Sequence, residues 1–313
     1  MTLDGLHIHY ICEGHGQPVI FLHGWNAGVQ VYSGVFQTLT KRCQVIAPDM
    51  PGAGESDEPP EPWTVDQYAD FVLHFLHSFP EHDRVDWNHV ILMGHSFGCR
   101  VIIKLMNRPE LPFTVDKIIV TDGAGIKPVP THRQKWRTRL FKAGKWFCLT
   151  PPVKKFFPNA LHSLQTRFGS ADYARATPVM RQTLVKVVNE DLTHLLPGVH
   201  AETLLIWGDR DTATPLSDGQ KMESLMPNAG LAVIREAGHF AFLDQPVIFS
   251  KILSSYLHLD EPDISTDEHA ETVSTDENTE TVSTVENTET LSTDEPDKHI
   301  PSDEKKIASE SET

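Results

Sequence analysis

Only four cysteines, Cys12, Cys43, Cys99 and Cys148, occur among the 313 residues, widely spaced and without a Cys-x-x-Cys pair. Neither a zinc site nor a disulfide framework is indicated, and scattered buried thiols are expected. Long apolar runs are missing too: no uncharged stretch approaches the ~18 residues of a membrane span. Asp4 stands where a signal peptide would carry positive charge ahead of an apolar segment. The expected location is therefore the cytoplasm. There is no basic excess either. The formal net charge is -16, but 18 acidic residues against 3 basic lie from Asp260 onward, leaving 25 acidic against 24 basic up to Leu259. A near-neutral body lacks the overall basic footprint of a nucleic-acid binder, and the acidity belongs to the tail.

That tail has no aromatic residue and few aliphatic ones. From Ser265 the segments STDEHAETV, STDENTETV, STVENTETL and STDEPDKHI recur every nine residues, a period too short for a helical solenoid. Such a composition cannot bury enough surface to offset its ordering entropy, so residues 260–313 are expected to be a disordered, solubilising extension. A docking or phosphorylated Ser/Thr tail is the sharper alternative.

The body alternates two periodicities. Leu6 to Cys12 reads as a strand, and the short apolar runs Pro18 to Leu22, Gln44 to Ala47, Val90 to Met93, Lys117 to Val120, Thr203 to Trp207 and Leu231 to Ile234 read as further strands. Helical stretches fall between them: Thr64 to Ser78, opened by the capping box Thr64-Val65-Asp66-Gln67, then Phe97 to Asn107, Leu216 to Leu225 and Val247 to Leu257. Strands that are apolar throughout and alternate with helices imply an α/β fold, a mostly parallel sheet covered on both faces. Between Val120 and Thr203 no strong strand occurs. The expected organisation is a core of residues 1–123 and 198–259, interrupted by a mostly helical cap over 124–197 and followed by the tail.

The chemistry sits at strand ends. Gly94-His95-Ser96-Phe97-Gly98 lies directly after the strand Val90 to Met93 and before a helix. In that context Gly-x-Ser-x-Gly is a nucleophile elbow, a strained turn that exposes the serine hydroxyl. Serine is a weak nucleophile without a base, and His239 in Gly238-His239-Phe240 follows the last strand. His95 abuts the nucleophile, but an adjacent residue at a tight elbow points away, so His95 is read as structural. An acid comes from the loop Gly208-Asp209-Arg210-Asp211-Thr212-Ala213-Thr214-Pro215.

The chain order Ser…Asp…His resembles the α/β-hydrolase superfamily, in its serine-nucleophile, cap-bearing, esterase-like branch, over Leu6 to about Leu257. The resemblance implies the α/β-hydrolase fold. Its pattern Gly-x-x-Asp-x-x-x-Pro assigns the acid to Asp211 and leaves Asp209 as a turn residue. Some members carry the acid after the earlier strand, which makes Asp122 the second candidate, with the motif match against it. His23-Gly24-Trp25-Asn26 looks like the oxyanion loop and implies the backbone N–H groups of Trp25 and Phe97 as oxyanion donors, His23 bracing the loop. Asp49-Met50-Pro51-Gly52-Ala53-Gly54-Glu55-Ser56 matches the family's Asp-x-x-Gly-x-Gly-x-Ser turn and lacks the Gly-Lys-Ser/Thr of a phosphate loop. One departure is Cys99, where members often carry a second glycine after the elbow; it is expected to pack against the sheet.

Serine rather than aspartate at the elbow disfavours haloalkane dehalogenase and epoxide hydrolase chemistry. The expectation is hydrolysis of a small carboxylic ester, a small-molecule acyl substrate, with no metal or organic cofactor implied. Two alternatives stay open: a C–C bond hydrolase of the meta-cleavage type, and a non-catalytic ligand receptor or scaffold on the same fold. The cap adds a weak clue. Gly123 to Ala171 contains ten Lys or Arg residues and no Asp or Glu, interleaved with Trp136, Phe141, Trp146, Phe147, Phe156 and Phe157. This is read as a solvated basic face, or as an amphipathic surface that lines an apolar pocket, accepts an anionic substrate, or touches a membrane surface transiently.

Overall fold

The computed structural model describes residues 1–127, 132–150 and 171–261, so the repeat tail and the cap segments 128–131 and 151–170 lie outside the described residues. An antiparallel ribbon of β1 (Thr2–Leu3) and β2 (Leu6–His7) precedes a seven-stranded sheet. The sheet consists of β3 (Tyr10–Gly14), β4 (Gln17–Leu22), β5 (Cys43–Pro48), β6 (Val90–His95), β7 (Val115–Thr121), β8 (Glu202–Gly208) and β9 (Ala229–Ile234). Their spatial order is β3-β5-β4-β6-β7-β8-β9, with β3 antiparallel to β5 and all other neighbours parallel.

The helices are α1 (Ser33–Leu39), α2 (Val65–Ser78), α3 (Phe97–Met106), α4 (His132–Cys148), α5 (Ala171–Arg175), α6 (Pro178–Asn189), α7 (Leu216–Leu225), α8 (Ala241–Asp244) and α9 (Pro246–Tyr256). Period-two alternation explains why the central strands are apolar at every position. In β4, Ile20 and Leu22 enter a core packed by Phe75 of α2 and Ile102 of α3, whereas Val19 and Phe21 enter a second core with Phe36 of α1 and Phe249 of α9. The α2 capping box forms: Gln67 N donates to Thr64 Oγ1 and Thr64 N donates to Gln67 Oε1.

The stretch Leu6 to Cys12 is not one strand. Ile8 is fully buried, and backbone groups on both sides of it bond outside the sheet. Ile8 N donates to Met1 O, Asp57 N to His7 O, Asp49 N to His9 O and His9 N to Ser56 Oγ. The loop after β5 therefore takes the ladder positions that a continuous strand would use.

The helical cap region enters between β7 and β8, with α4, α5, α6 and a 3-10 turn over Thr193–Gly198 among its described parts. Thr177 caps α6 and Pro178 occupies its first turn. Arg100 of α3 donates to Glu190 O, and Lys104 Nζ lies 2.6 Å from Glu190 Oε1 and 2.7 Å from Asp66 Oδ2. These bonds tie the end of α6 to the core helices. Among the described residues no helix is long and apolar enough to cross a membrane.

Candidate active site

Strand order reverses direction around β4 and β6, so the loops leaving their C-terminal ends face one crevice. Ser96 stands between β6 and α3 with φ 49° and ψ -109°, a conformation strained for a residue with a side chain. It is held by Ser96 N donating to Thr121 O and by Cys99 N and Ala124 N donating to Ser96 O. The elbow's glycine is required by close approach: a Cβ on Gly98 would lie 2.0 Å from the Leu22 carbonyl oxygen. Cys99 packs as expected, fully buried, its Sγ donating to Gly94 O.

Ser96 Oγ lies 2.9 Å from His239 Nε2, and His239 Nδ1 lies 2.8 Å from Asp211 Oδ2. A carboxylate on Nδ1 fixes the tautomer with the proton there and leaves Nε2 to accept from the serine hydroxyl. Asp211 also accepts from Ala213 N, Thr214 N and Thr214 Oγ1. Burial pushes its carboxyl up, but the bonds from His239 and Thr214 outweigh this and hold its pKa below the ordinary carboxylate value.

Asp122 is close by yet makes different bonds. Fully buried, it accepts from Gly208 N at 2.9 Å and Ala241 N at 3.3 Å. Burial raises its pKa to about 7, against the lowering effect of the Gly208 bond. Its carboxylate buttresses the turns that carry Asp211 and His239. Asp209 orders its own loop by accepting from Glu236 N.

Two other histidines are structural bonds in ring form. His23 lies with Nδ1 2.7 Å from Gly24 O and accepts from Met50 N at Nε2; burial lowers its pKa. In His95 Nε2 is 2.8 Å from His239 O and Nδ1 is 2.9 Å from Tyr32 Oη, which itself accepts from Gly24 N. One hydrogen-bonded chain thus joins the loop after β4 to the backbone of His239. Burial, reinforced by the charge of His239, depresses the His95 pKa to about 3, so this ring is neutral. Gly24 is required here as well, because a Cβ would approach His95 Nδ1 to 2.6 Å. Asp49, also fully buried, accepts from Val29 N, Glu55 N and His9 Nδ1 and so organises the turn after β5.

Trp25 follows β4 and Phe97 opens α3, their rings meeting edge to face at 5.3 Å. The Phe97 N–H is among the first four of a helix, which have no intrahelical acceptor. Over Ser96 and His239 lies a cavity of about 980 Å³, walled by Trp25 and Phe97 from the core and by Phe141, Tyr173, Leu184 and Val188 from the cap. The expected role of the cap's positive charge in accepting an anionic substrate falls mostly on Arg133, Lys135, Arg137, Lys145, Lys154, Lys155 and Arg167, whose side chains lie outside the described residues. Among the described residues the lining includes the carboxylates of Asp172 and Asp218 and a single arginine, Arg100, which is bonded to Glu190 O, and none of Lys127, Arg139 and Lys142. Among the described residues no group of three or more His, Cys, Asp or Glu side chains is placed to hold a metal ion.

Sequence reasoning brings Ser96, Asp211 and His239 to one place and weighs Asp122 only as an alternative acid, not as the support that its bonds to Gly208 N and Ala241 N make it, and it gives no role to Thr214 or Tyr32. Thr214 stands inside the acid-loop motif, and its buried hydroxyl, bonded to Asp211, was signalled only by that proximity. Nothing in the spacing joins Tyr32 to His95, 63 residues away.

The model of the Alpha/beta hydrolase family matches residues 19–252. The AB hydrolase superfamily protein YisY of Bacillus subtilis (strain 168) is 26% identical over 256 residues, covering 78% of this chain and 92% of that protein. A pimeloyl-(acyl-carrier protein) methyl ester esterase of Nitrosomonas europaea is 26% identical over 264 residues, covering 77% and 96%. Among solved structures, the esterase EaEST from Exiguobacterium antarcticum superposes with a TM-score of 0.63 at 24% identity, covering 82% of this chain and 97% of that one, a likeness of fold.

Proposed function

This chain belongs to the alpha/beta hydrolase family, and on that premise we propose that it cleaves carboxylic esters through an acyl-enzyme formed on Ser96. Serine-hydrolase-type chemistry on this fold is the common ground with its relatives; the ester bond and the residue roles are our reading. The observation that carries it is the continuous bond path from Ser96 Oγ to His239 and on to Asp211, set beneath a large apolar cavity.

In this reading Ser96 Oγ attacks the ester carbonyl while its proton passes to His239 Nε2. Asp211 keeps the imidazole oriented and stabilises the imidazolium without taking the proton. The tetrahedral oxyanion is met by the N–H groups of Trp25 and Phe97 and by the positive end of α3. Each such donor is worth ~2.7 to 4 kcal/mol in the transition state. Collapse expels the alcohol, which carries off the proton from His239. Water then enters, gives a proton to His239 and breaks the acyl-serine bond, releasing the carboxylic acid and restoring the Ser96 hydroxyl. Asp122 and His95 act on this path only by holding the loops.

The cavity, at about 980 Å³ and predominantly apolar in its walls, lies at the upper end of small-molecule sites. It suits an acyl chain of some length. The test is a panel of p-nitrophenyl esters of increasing chain length, with a lactone and a vinylogous diketone. Ester turnover that improves beyond acetate and disappears in Ser96→Ala supports the proposal. Cleavage of the diketone without ester turnover would replace it with C–C hydrolysis. Saturable binding of these compounds without turnover would point to a receptor.

A further inference from the structure

Most of the exposed large apolar side chains among the described residues fall into two groups, one lining the cavity and one on α4. Val31, Val185, Val188, Phe240 and Leu243 are exposed and also line the cavity, so they form its rim. Trp136, Leu140, Trp146, Phe147 and Leu149 lie on α4 or one residue past it, with Trp136 at 65%, Trp146 at 73% and Phe147 at 60% exposure. Among the described residues, Val233, Val247 and Ile248 are the exposed large apolar side chains outside these two groups.

Helical spacing gives α4 two distinct sides. Trp136, Leu140 and Phe147 fall within a narrow stripe at intervals of four and seven residues. Phe141, roughly a third of a turn round, is half-buried and walls the cavity. The outward stripe therefore costs the protein exposed apolar area that pocket lining does not explain, and such patches mark interaction surfaces. The same helix carries Arg133, Lys135, Arg137, Arg139, Lys142 and Lys145 and no acidic residue. Arg139 and Lys142 are exposed on the adjoining outward arc of the helix, on either side of Trp146.

Charge decides the occupant. A second copy of this face would oppose cation to cation, whereas an anionic lipid surface supplies both the countercharge and an apolar layer for tryptophan and phenylalanine. We propose that α4 and the apolar rim of the cavity form a docking face for an anionic lipid bilayer. Docked in this way, the cavity mouth opens toward the acyl region of the lipid. That last consequence rests on the ester-hydrolase reading, but the docking itself does not, because it is measured without turnover.

The test uses the full chain with vesicles of phosphatidylcholine alone and of phosphatidylcholine containing about one third phosphatidylglycerol. Partitioning is followed by flotation and by tryptophan fluorescence. Each cation near the surface contributes a several-fold gain, so the anionic vesicles should bind at least about tenfold more tightly, and added salt should remove most of the difference. The triple variant W136S/W146S/F147S should partition about tenfold less, with its unfolding temperature and its turnover of a water-soluble ester unchanged. Absence of binding to anionic vesicles, or equal binding by the variant, would overturn the proposal. So would sedimentation showing a wild-type dimer that the variant lacks, since a second copy would then occupy the face. Absence of soluble-ester turnover by wild type, with vesicle binding retained, would count against the hydrolase reading and leave the docking result standing.

Discussion

Two asparagine substitutions, made separately, distinguish the group that orients His239 from the one that only supports it. Asp211→Asn replaces the carboxylate 2.8 Å from His239 Nδ1 with an amide that can turn an N–H toward the ring. The imidazole is then driven to the wrong tautomer, with the proton on Nε2 facing Ser96. The comparable change in other serine hydrolases lowers kcat by about 10⁴, or ~5.4 kcal/mol of transition-state stabilisation. Asp122→Asn removes no bond to His239. It keeps one acceptor for Gly208 N and gives up the 3.3 Å bond from Ala241 N, so kcat should stay within about tenfold of wild type. Stability should respond in its own way. The native pKa of Asp122 is raised by burial to about 7, above the ~3.9 of an unfolded chain. The native state therefore binds more protons than the unfolded state between about pH 4 and 7, so this contribution is full below that window and is lost as pH rises through it. The span corresponds to ~4 kcal/mol at most, and Asp122→Asn should flatten it. The assays are kcat on a short ester and urea unfolding at the two ends of the window. A larger kcat loss in Asp122→Asn than in Asp211→Asn would refute the assignment of the acid.

His95, with its pKa depressed to about 3 by burial, contributes stability that is present above the unfolded value near 6.5 and is lost as pH falls toward the folded value. His95→Gln should therefore show a shallower loss of stability with acid than wild type, read by unfolding temperature against pH; parallel curves would contradict this. Thr214→Val removes the hydroxyl that donates to Asp211 Oδ2 at 2.7 Å. It should cost ~1.5 to 3 kcal/mol in urea unfolding and raise the Asp211 pKa, with Thr214→Ser restoring both; an unchanged stability would rule the bond out as a support.

Much of this architecture is legible in the residue pattern because parallel strands covered on both faces must be apolar at every position. The runs around Val19, Ile91, Ile118 and Leu205 signal themselves in this way. The capping box at Thr64 marks its helix by side-chain chemistry alone. The break at Ile8 is not legible, because it depends on bonds to Met1 and to residues 49–57, and no local period records long-range partners. Short helices such as Ser33–Leu39 and Ala241–Asp244 have too few turns to establish a period. At the site, strand-end motifs place Ser96, Asp211 and His239, since each loop motif carries its own backbone constraint. The supports are hidden for the opposite reason. Tyr32, His95 and the carbonyl of His239 are joined only through folding. The cap's positive charge was visible, but which of its faces lines the cavity depends on helix rotation, and the pocket takes Phe141 while Trp136 and Phe147 stay exposed.

The central claim is that Ser96 is a nucleophile activated by His239. It is tested most directly by reacting the intact protein with a fluorophosphonate and locating the adduct by peptide mass. The account predicts one phosphonyl group on Ser96, absent in Ser96→Ala and formed far more slowly in His239→Ala. Labelling at another residue, or none in wild type while short esters are still hydrolysed, would contradict it.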